Sequence, residues 1–443
     1  MSNPPSAIFH RSLTKAYPTA VTGQGVYLIT SDGRKILDGS CGAAVSCLGH
    51  GHKVVIEAIV EQTRSLAFAH TSFFTSNPSE ELASLLLASS DGAFSKAMFL
   101  SSGSEAVESA IKLARQYHVS DGATERTNII ARKFSYHGNT LGALSAGYNP
   151  SRREAFIPLL SPAFHHVSPC FHTRDGQLDE DEDEYVDRLM EEFEAMFLSL
   201  GTHTVAAVIV EPVVGATLGS VPAAKGYLRR LKQLCEAHGA LLIFDEVMCG
   251  MGRAGTMHAW QSLGGAAPDL QTIGKGLGAG YQPISAVLVG ERVHSKLLET
   301  SSSHAFISGH TYQGHAIGCA AALATQRVIV REDLMSNVVS MSELLVGLLR
   351  QHTPFLKEVR GIGLFQTVEF LPILPDRRSL AKEVSEACLQ NGAAVYLCSS
   401  AVDAVLFAPP FIITESETKA LVDIFTSTVQ QVLRSRGQGR VLH

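Results

Sequence analysis

The chain has 443 residues, 45% hydrophobic and 18% charged, with 36 Lys and Arg against 42 Asp and Glu for a net charge of −6. That length exceeds one small core and predicts two domains, or a large α/β domain with an appendage. Disorder is excluded by the composition, a nucleic-acid partner by the lack of any basic tract, and a membrane span because no apolar run reaches about 18 residues.

The first 48 residues alternate short apolar runs with glycine turns. Residues 26–30, a Ser31-Asp32-Gly33-Arg34 turn and residues 35–37 read as a β-hairpin. Arg11 and Lys15 precede the first acid, Asp32, as in a mitochondrial transit peptide. Pro4, Pro5 and Pro18 would interrupt its amphipathic helix, so a cytoplasmic location is expected, with mitochondrial targeting as the alternative. Residues 52–87 carry a helical pattern.

A strand–helix rhythm follows: strands at 97–100, 127–132, 204–210, 240–244, 270–273 and 284–289, with helices at 104–119 and 227–238 among them. The run ALLIF at 240–244 is apolar throughout, as expected when both sheet faces are covered. Such alternation predicts a mainly parallel sheet wrapped by helices. The acidic run 179–184 reads as a solvated loop feeding a helix that starts near Tyr185, where acids suit the helix dipole. From about Thr325 the texture changes to helix 334–351, strand 359–370, helix 379–390, short strands at 394–397 and 404–407, and helix 415–434. This reads as a small α+β domain completed by the N-terminal hairpin. The expected division is 1–50, 51–325 and 326–443.

The eight cysteines form no CxxC pair and read as reduced core thiols. Neither His50/His52 nor His165-His166 has ligating company, so no metal site is expected.

Three motifs carry chemistry. Ser101-Ser102-Gly103-Ser104-Glu105 lies between a strand and a helix, where free N–H groups favour an anion, although Ser104 could be a plain cap. Asp245 ends the ALLIF strand, at the sheet edge where α/β proteins bind ligands. Lys275 stands among glycines in Gly274-Lys275-Gly276-Leu277-Gly278, open to an aldehyde that its amine would capture as an imine. With Tyr136-His137-Gly138 these make the parts of a pyridoxal phosphate site: imine lysine, carboxylate for the ring nitrogen, phosphate cradle and stacking aromatic.

Over nearly its whole length the sequence resembles the class III aminotransferases of the pyridoxal-phosphate fold-type-I group. LLIFDEVMCGMGRAGTMHAWQ and PDLQTIGKGLGAGYQPISAV, within 241–287, carry the resemblance most specifically. SSGSEAVESAIKLAR, YHGNTLGALS, VIVEPVVG and SGHTYQGHAIGCAAALA add to it in the right order. The resemblance implies a large domain built on a mainly parallel seven-stranded sheet, plus a small domain from both chain ends. It implies that Lys275 holds the cofactor as an internal aldimine and shuttles a proton. It gives Asp245 the ring nitrogen, Val247 and Tyr136 the two ring faces, and Ser102, Gly103 and Ser104 the phosphate. It places His137 and Glu211 at the cofactor and sends Thr311 to the phosphate of a neighbouring subunit. A homodimer, possibly paired into a tetramer, is the implied unit.

Departures from the family pattern bear on the substrate. Members acting on ornithine-like substrates carry an Arg where this chain has Leu406, and many ω-amine transaminases carry one near Ser399. A bidentate carboxylate clamp is therefore missing from both places, and Arg360 is a candidate to supply it, against a plain structural role in its turn. Glu211, without its usual Arg partner, is left to meet an amine-bearing substrate. Ala44, in a small-residue stretch, and Phe73 and Phe74 are expected to line a roomy apolar pocket. The expected activity is transfer of an amino group from an amine, ω-amino or bulky amino donor to a 2-oxo acid such as pyruvate or 2-oxoglutarate, by a ping-pong mechanism. The rivals are an aminomutase or decarboxylase of the same fold, a nicotinamide oxidoreductase, which lacks its early GxGxxG here, and a catalytically silent binding protein, against which intact Lys275 and Asp245 argue.

Overall fold

The computed structural model describes residues 6–264, 267–300, 304–372 and 378–437. Its centre is a seven-stranded sheet in the order Lys96–Leu100, Ser285–Val289, Leu270–Ile273, Leu241–Asp245, Val205–Val210, Asn128–Arg132, Phe164–Val167. Ser285–Val289 runs antiparallel to both neighbours and every other pair is parallel, so the expected mainly parallel sheet is present. Every residue of Val205–Val210 and Leu241–Asp245 is buried, because helices cover both faces.

The helix Gly103–Ser120 turns Ala106, Val107, Ala110, Leu113 and Ala114 onto the sheet, in a period set by 3.6 residues per turn. The acidic run does feed a helix, Glu182–Leu200, where Asp181 and Glu184 form a reciprocal capping box. Residues 52–87 are two helices, Lys53–Ser65 and Asn77–Ala88, rather than one. The second is capped by Ser76 and carries Pro78 in its first turn, the part of a helix that tolerates proline. The expected strand 359–370 is a hairpin, Leu356–Ile362 with Phe365–Phe370. Its turn needs Gly363 at φ +55°, where a Cβ would lie 2.4 Å from the Arg253 carbonyl oxygen. The helix Ala316–Arg331 runs through position 325, where a domain border was expected.

Two further sheets follow, and both chain ends meet in the first of them. Ala20–Gln24, Tyr27–Thr30 and Lys35–Asp38 form an antiparallel meander, and Ala393–Ala394 adds in parallel beside Lys35–Asp38. The other sheet orders Leu356–Ile362, Phe365–Phe370, Ala404–Phe407 and Tyr396–Leu397. All eight cysteines are buried and free.

Two buried histidines and one half-buried histidine tie stability to pH. His118 Nε2 meets the Ala206 carbonyl oxygen at 2.8 Å, His166 Nε2 that of Ala146 at 3.0 Å, and His258 Nε2 the Ser89 hydroxyl at 3.1 Å. Burial lowers each to about 4. An unfolded histidine titrates near 6.5, so the folded chain binds fewer protons between these values. The stabilisation is complete above about pH 6.5 and is lost as pH falls toward 4, on the order of 2–3 kcal/mol per histidine. The melting temperature is therefore expected to drop steeply from pH 7 to pH 4; a flat profile over that range would contradict the burial argument.

Candidate active site

The C-terminal end of Leu241–Asp245 opens into a cavity of about 670 Å³. Asp245 and Glu211, each 5% exposed, and Lys275 line its buried end. Sheet topology brings them together: Asp245 and Glu211 follow adjacent parallel strands, and Lys275 follows the next strand over, Leu270–Ile273. A buried carboxylate needs partners. Asp245 Oδ2 lies 2.8 Å from His137 Nδ1, and Oδ1 accepts from Val247 N and the Thr272 hydroxyl, each at 3.1 Å. Glu211 accepts from Tyr136 N at 3.1 Å and Gly215 N at 3.0 Å. Its carboxylate thus orients the backbone beneath Tyr136. Burial and then the Asp245 charge raise the Glu211 pKa, opposed by His137 and the two N–H donors.

Lys275 sits at φ +43°, in the left-handed region that non-glycine residues avoid. Among the described residues its Nζ makes no hydrogen bond or ion pair. Burial lowers its amine pKa, while Asp245 and Glu211 pull it back up. A half-buried, unpartnered amine of lowered pKa is suited to nucleophilic work. Directly behind this site Glu246, fully buried, accepts from Ala259 N, Trp260 N and Gln271 Nε2 at 2.7–2.9 Å. Burial pushes it up to about 8.

Opposite the carboxylates is the start of helix Gly103–Ser120. Ser102 caps it by accepting from Glu105 N at 3.2 Å, and Ser104 Oγ accepts from Asn139 N at 3.0 Å. Ser102, not Ser104, is thus the cap, and Ser104 ties the helix start to the Tyr136-His137-Gly138 loop. Among the described residues the N–H groups of Gly103 and Ser104 take no partner, leaving donors for an anion. A Cβ on Gly103 would lie 2.7 Å from Val247 Cγ1. Gly103→Ala is therefore expected to push Val247 into the cavity and weaken cofactor binding about tenfold or more, which titration of the apoenzyme with pyridoxal phosphate would measure.

Ser102, Gly103, Ser104, Tyr136, His137, Glu211, Asp245, Val247 and Lys275 all line this one cavity. Five expected residues do not. Ala44 is buried behind Gly42 and Ala43, which take the lining position. Phe73 and Phe74 are 77% and 67% exposed, in the irregular stretch between the two helices that replace the expected single one. Thr311 is exposed on the surface of this chain. Arg360 is spent on structure: Nη1 meets Glu369 at 2.5 Å and Glu358 at 2.9 Å, while Nε and Nη2 donate to the carbonyls of Gly219 and Leu218. Residues that the sequence reading passed over also line the cavity, among them Arg11, Arg152, Ala216, Met248 and Tyr396. Leu406 is fully buried in its strand, and Ser399 lines the cavity while donating to the Thr217 carbonyl at 2.7 Å.

The model of the aminotransferase class-III family matches residues 9–429. The chain belongs to the class III aminotransferases. An uncharacterized aminotransferase of Schizosaccharomyces pombe is 39% identical over 436 residues, 95% of this chain and 94% of its relative. The ω-transaminase of Pseudomonas jessenii, solved in complex with PMP, superposes with a TM-score of 0.90 at 30% identity, covering 96% of this chain and 94% of that one. An amine transaminase from an uncultivated Pseudomonas species, solved in its PLP-bound form, gives a TM-score of 0.90 at 28% identity over 97% of this chain and all of that one. The family and these neighbours imply pyridoxal phosphate as the cofactor of this class III aminotransferase. Its residues fit that group: a nucleophilic amine, a partnered carboxylate and a helix start with free N–H donors share one cavity.

Proposed function

We propose that this aminotransferase takes the amino group of an amine, ω-amino or bulky amino donor and passes it to a 2-oxo acid in a ping-pong cycle. The observation that carries the reading is the cavity wall. It includes the small or apolar residues Gly42, Ala43, Ala216 and Cys398, has a serine at 399, and the chain carries no guanidinium at 399 or 406.

Bound pyridoxal phosphate supplies an aldehyde for the donor amine and an electron-withdrawing ring. Lys275 is assigned the covalent attachment and, once freed, the proton moved at Nζ. Asp245, steadied by His137 and Thr272, keeps a negative charge at the floor of the cavity for a protonated ring nitrogen. Val247 and Tyr136 are assigned the two ring faces, and the N–H groups of Gly103 and Ser104 the phosphate. Glu211 holds the Tyr136 backbone in place.

The working unit is proposed to be a dimer. Phe73, Phe74, Ile307 and Tyr312 are all at least 59% exposed, an apolar surface that suits a second copy. Phe68 brings the two segments together, 5.9 Å from the Tyr312 ring. Sedimentation velocity would test this.

A donor screen on the holoenzyme tests the activity. A suitable donor alone should bleach the yellow cofactor and release a carbonyl product, and pyruvate or 2-oxoglutarate should restore the colour. Strict preference for short α-amino acids, or release of carbon dioxide, would overturn the reading.

A further inference from the structure

The cavity carries two cations that the proposed chemistry does not use. Arg152 lies in the short helix Pro150–Arg153, and Arg11 comes from the N-terminal segment. Both are exposed and both line the same cavity as Lys275. The Arg152 guanidinium lies 5.3 Å from the centre of the Tyr136 ring. Both arginines also act on the Tyr136 phenol, opposing the burial that raises its pKa.

Neither guanidinium has an ion pair or hydrogen bond among the described residues. Two other guanidiniums, Arg360 and Arg153, do not line the cavity. Arg360 is fully paired with carboxylates and carbonyls. Arg153, next in the chain, packs over the Tyr148 ring at 4.7 Å. Nor do the acids lining the cavity neutralise Arg11 and Arg152. Those acids are Glu211 and Asp245, both buried at the far end and both already hydrogen-bonded.

The cavity therefore carries cations at two places, and both apolar residues and polar ones such as Asn149, Ser151 and Thr217 line it as well. Lys275 stands at the buried end, two free guanidiniums stand at the exposed end, and Ala43, Val213, Ala216, Met248 and Leu397 lie among the lining. We infer that the amino donor carries a carboxylate remote from its reacting amine, and that Arg152, with Arg11 beside it, receives that carboxylate at the mouth of the cavity. The donor class is then an ω-amino acid with an apolar chain between its two ends. A guanidinium suits this task because its planar fork matches a carboxylate. The position also explains how a chain without Arg at 399 and 406 would recognise an acid. The inference rests on the transaminase reading proposed above.

The test pairs 5-aminopentanoate with pentylamine, donors that share a five-carbon chain and differ in the carboxylate. Holoenzyme, Arg152→Gln, Arg152→Lys and Arg11→Gln are compared. In Arg152→Gln the ratio of kcat/KM for aminopentanoate to that for pentylamine should fall about tenfold or more, chiefly through KM. Arg152→Lys should recover part of the ratio, Arg11→Gln should lower it less, and all variants should retain the cofactor. An unchanged ratio in Arg152→Gln, with both donors still turning over, would overturn the inference while leaving the transaminase reading intact. Loss of cofactor with both donors falling together would overturn it too, and would reassign Arg152 to the cofactor. If the wild-type holoenzyme converts no amine donor at all, the transaminase reading itself fails and this inference falls with it.

Discussion

Lys275→Ala is expected to lower turnover at least about 10³-fold with every donor, the range set by removing a positioned proton carrier and nucleophile together. The amine is the one group in the cavity placed for both tasks. It is unpartnered, its pKa is lowered by burial, and it faces Asp245 and Glu211 across the buried end. Its backbone is held at φ +43° between Gly274 and Gly276, so the strained conformation is a property of the loop and survives truncation of the side chain. The variant should therefore fold and melt like the wild type. Borohydride should fix the cofactor to the peptide containing residue 275 in the wild type and leave it removable in the variant. Turnover within about tenfold of wild type, or cofactor fixed at another residue, would show that the assignment of Lys275 is wrong.

Much of this site is legible in the sequence because its residue types are the chemistry. A lysine stripped of neighbouring side chains by glycine and an aspartate closing a wholly apolar strand have few other uses. The strands that carry them are legible for a related reason. Residues buried on both faces of a sheet must be apolar throughout, and VAAVIV and LLIFD are so but for the terminal aspartate.

What escaped depends on packing between distant segments. Thr272 supports Asp245 only because Leu241–Asp245 and Leu270–Ile273 pair in a register that sets these two residues side by side. Ala393–Ala394 joins the N-terminal meander across more than 350 residues of chain, which no local pattern announces. The break between Lys53–Ser65 and Asn77–Ala88 was hidden because Pro78 reads as a breaker only once the helix start is known. That break is also why Phe73 and Phe74 face outward rather than into the cavity. Of the two readings of Arg360, carboxylate clamp or structural support, the structure shows the second, since Glu358 and Glu369 hold it from two neighbouring strands of the hairpin. Arg152 was passed over because nothing in YNPSRR distinguishes the arginine that lines a cavity from the one that packs over Tyr148.

Asp245→Asn is expected to reduce kcat about 10²- to 10³-fold while leaving the fold intact, the loss typical of removing one preorganised electrostatic group from a water-poor site. The amide is nearly isosteric and its oxygen can still accept from Val247 N and Thr272, which now hold Oδ1 at 3.1 Å. The other edge changes in kind. An Nδ2 donor would replace Oδ2, 2.8 Å from His137 Nδ1, so the imidazole must present its lone pair there and move its proton to Nε2. That nitrogen is buried without a partner, so the tautomer change adds a modest cost in stability. Charge and shape therefore separate in the readout. If the negative charge matters, kcat should fall with every donor alike and cofactor retention should weaken only modestly. His137→Ala, which keeps the charge but frees the carboxylate to move, should fall less, by about tenfold. Equal losses in the two variants would mean that position, not charge, is what Asp245 supplies, and a loss below fivefold in Asp245→Asn would remove it from the chemistry altogether.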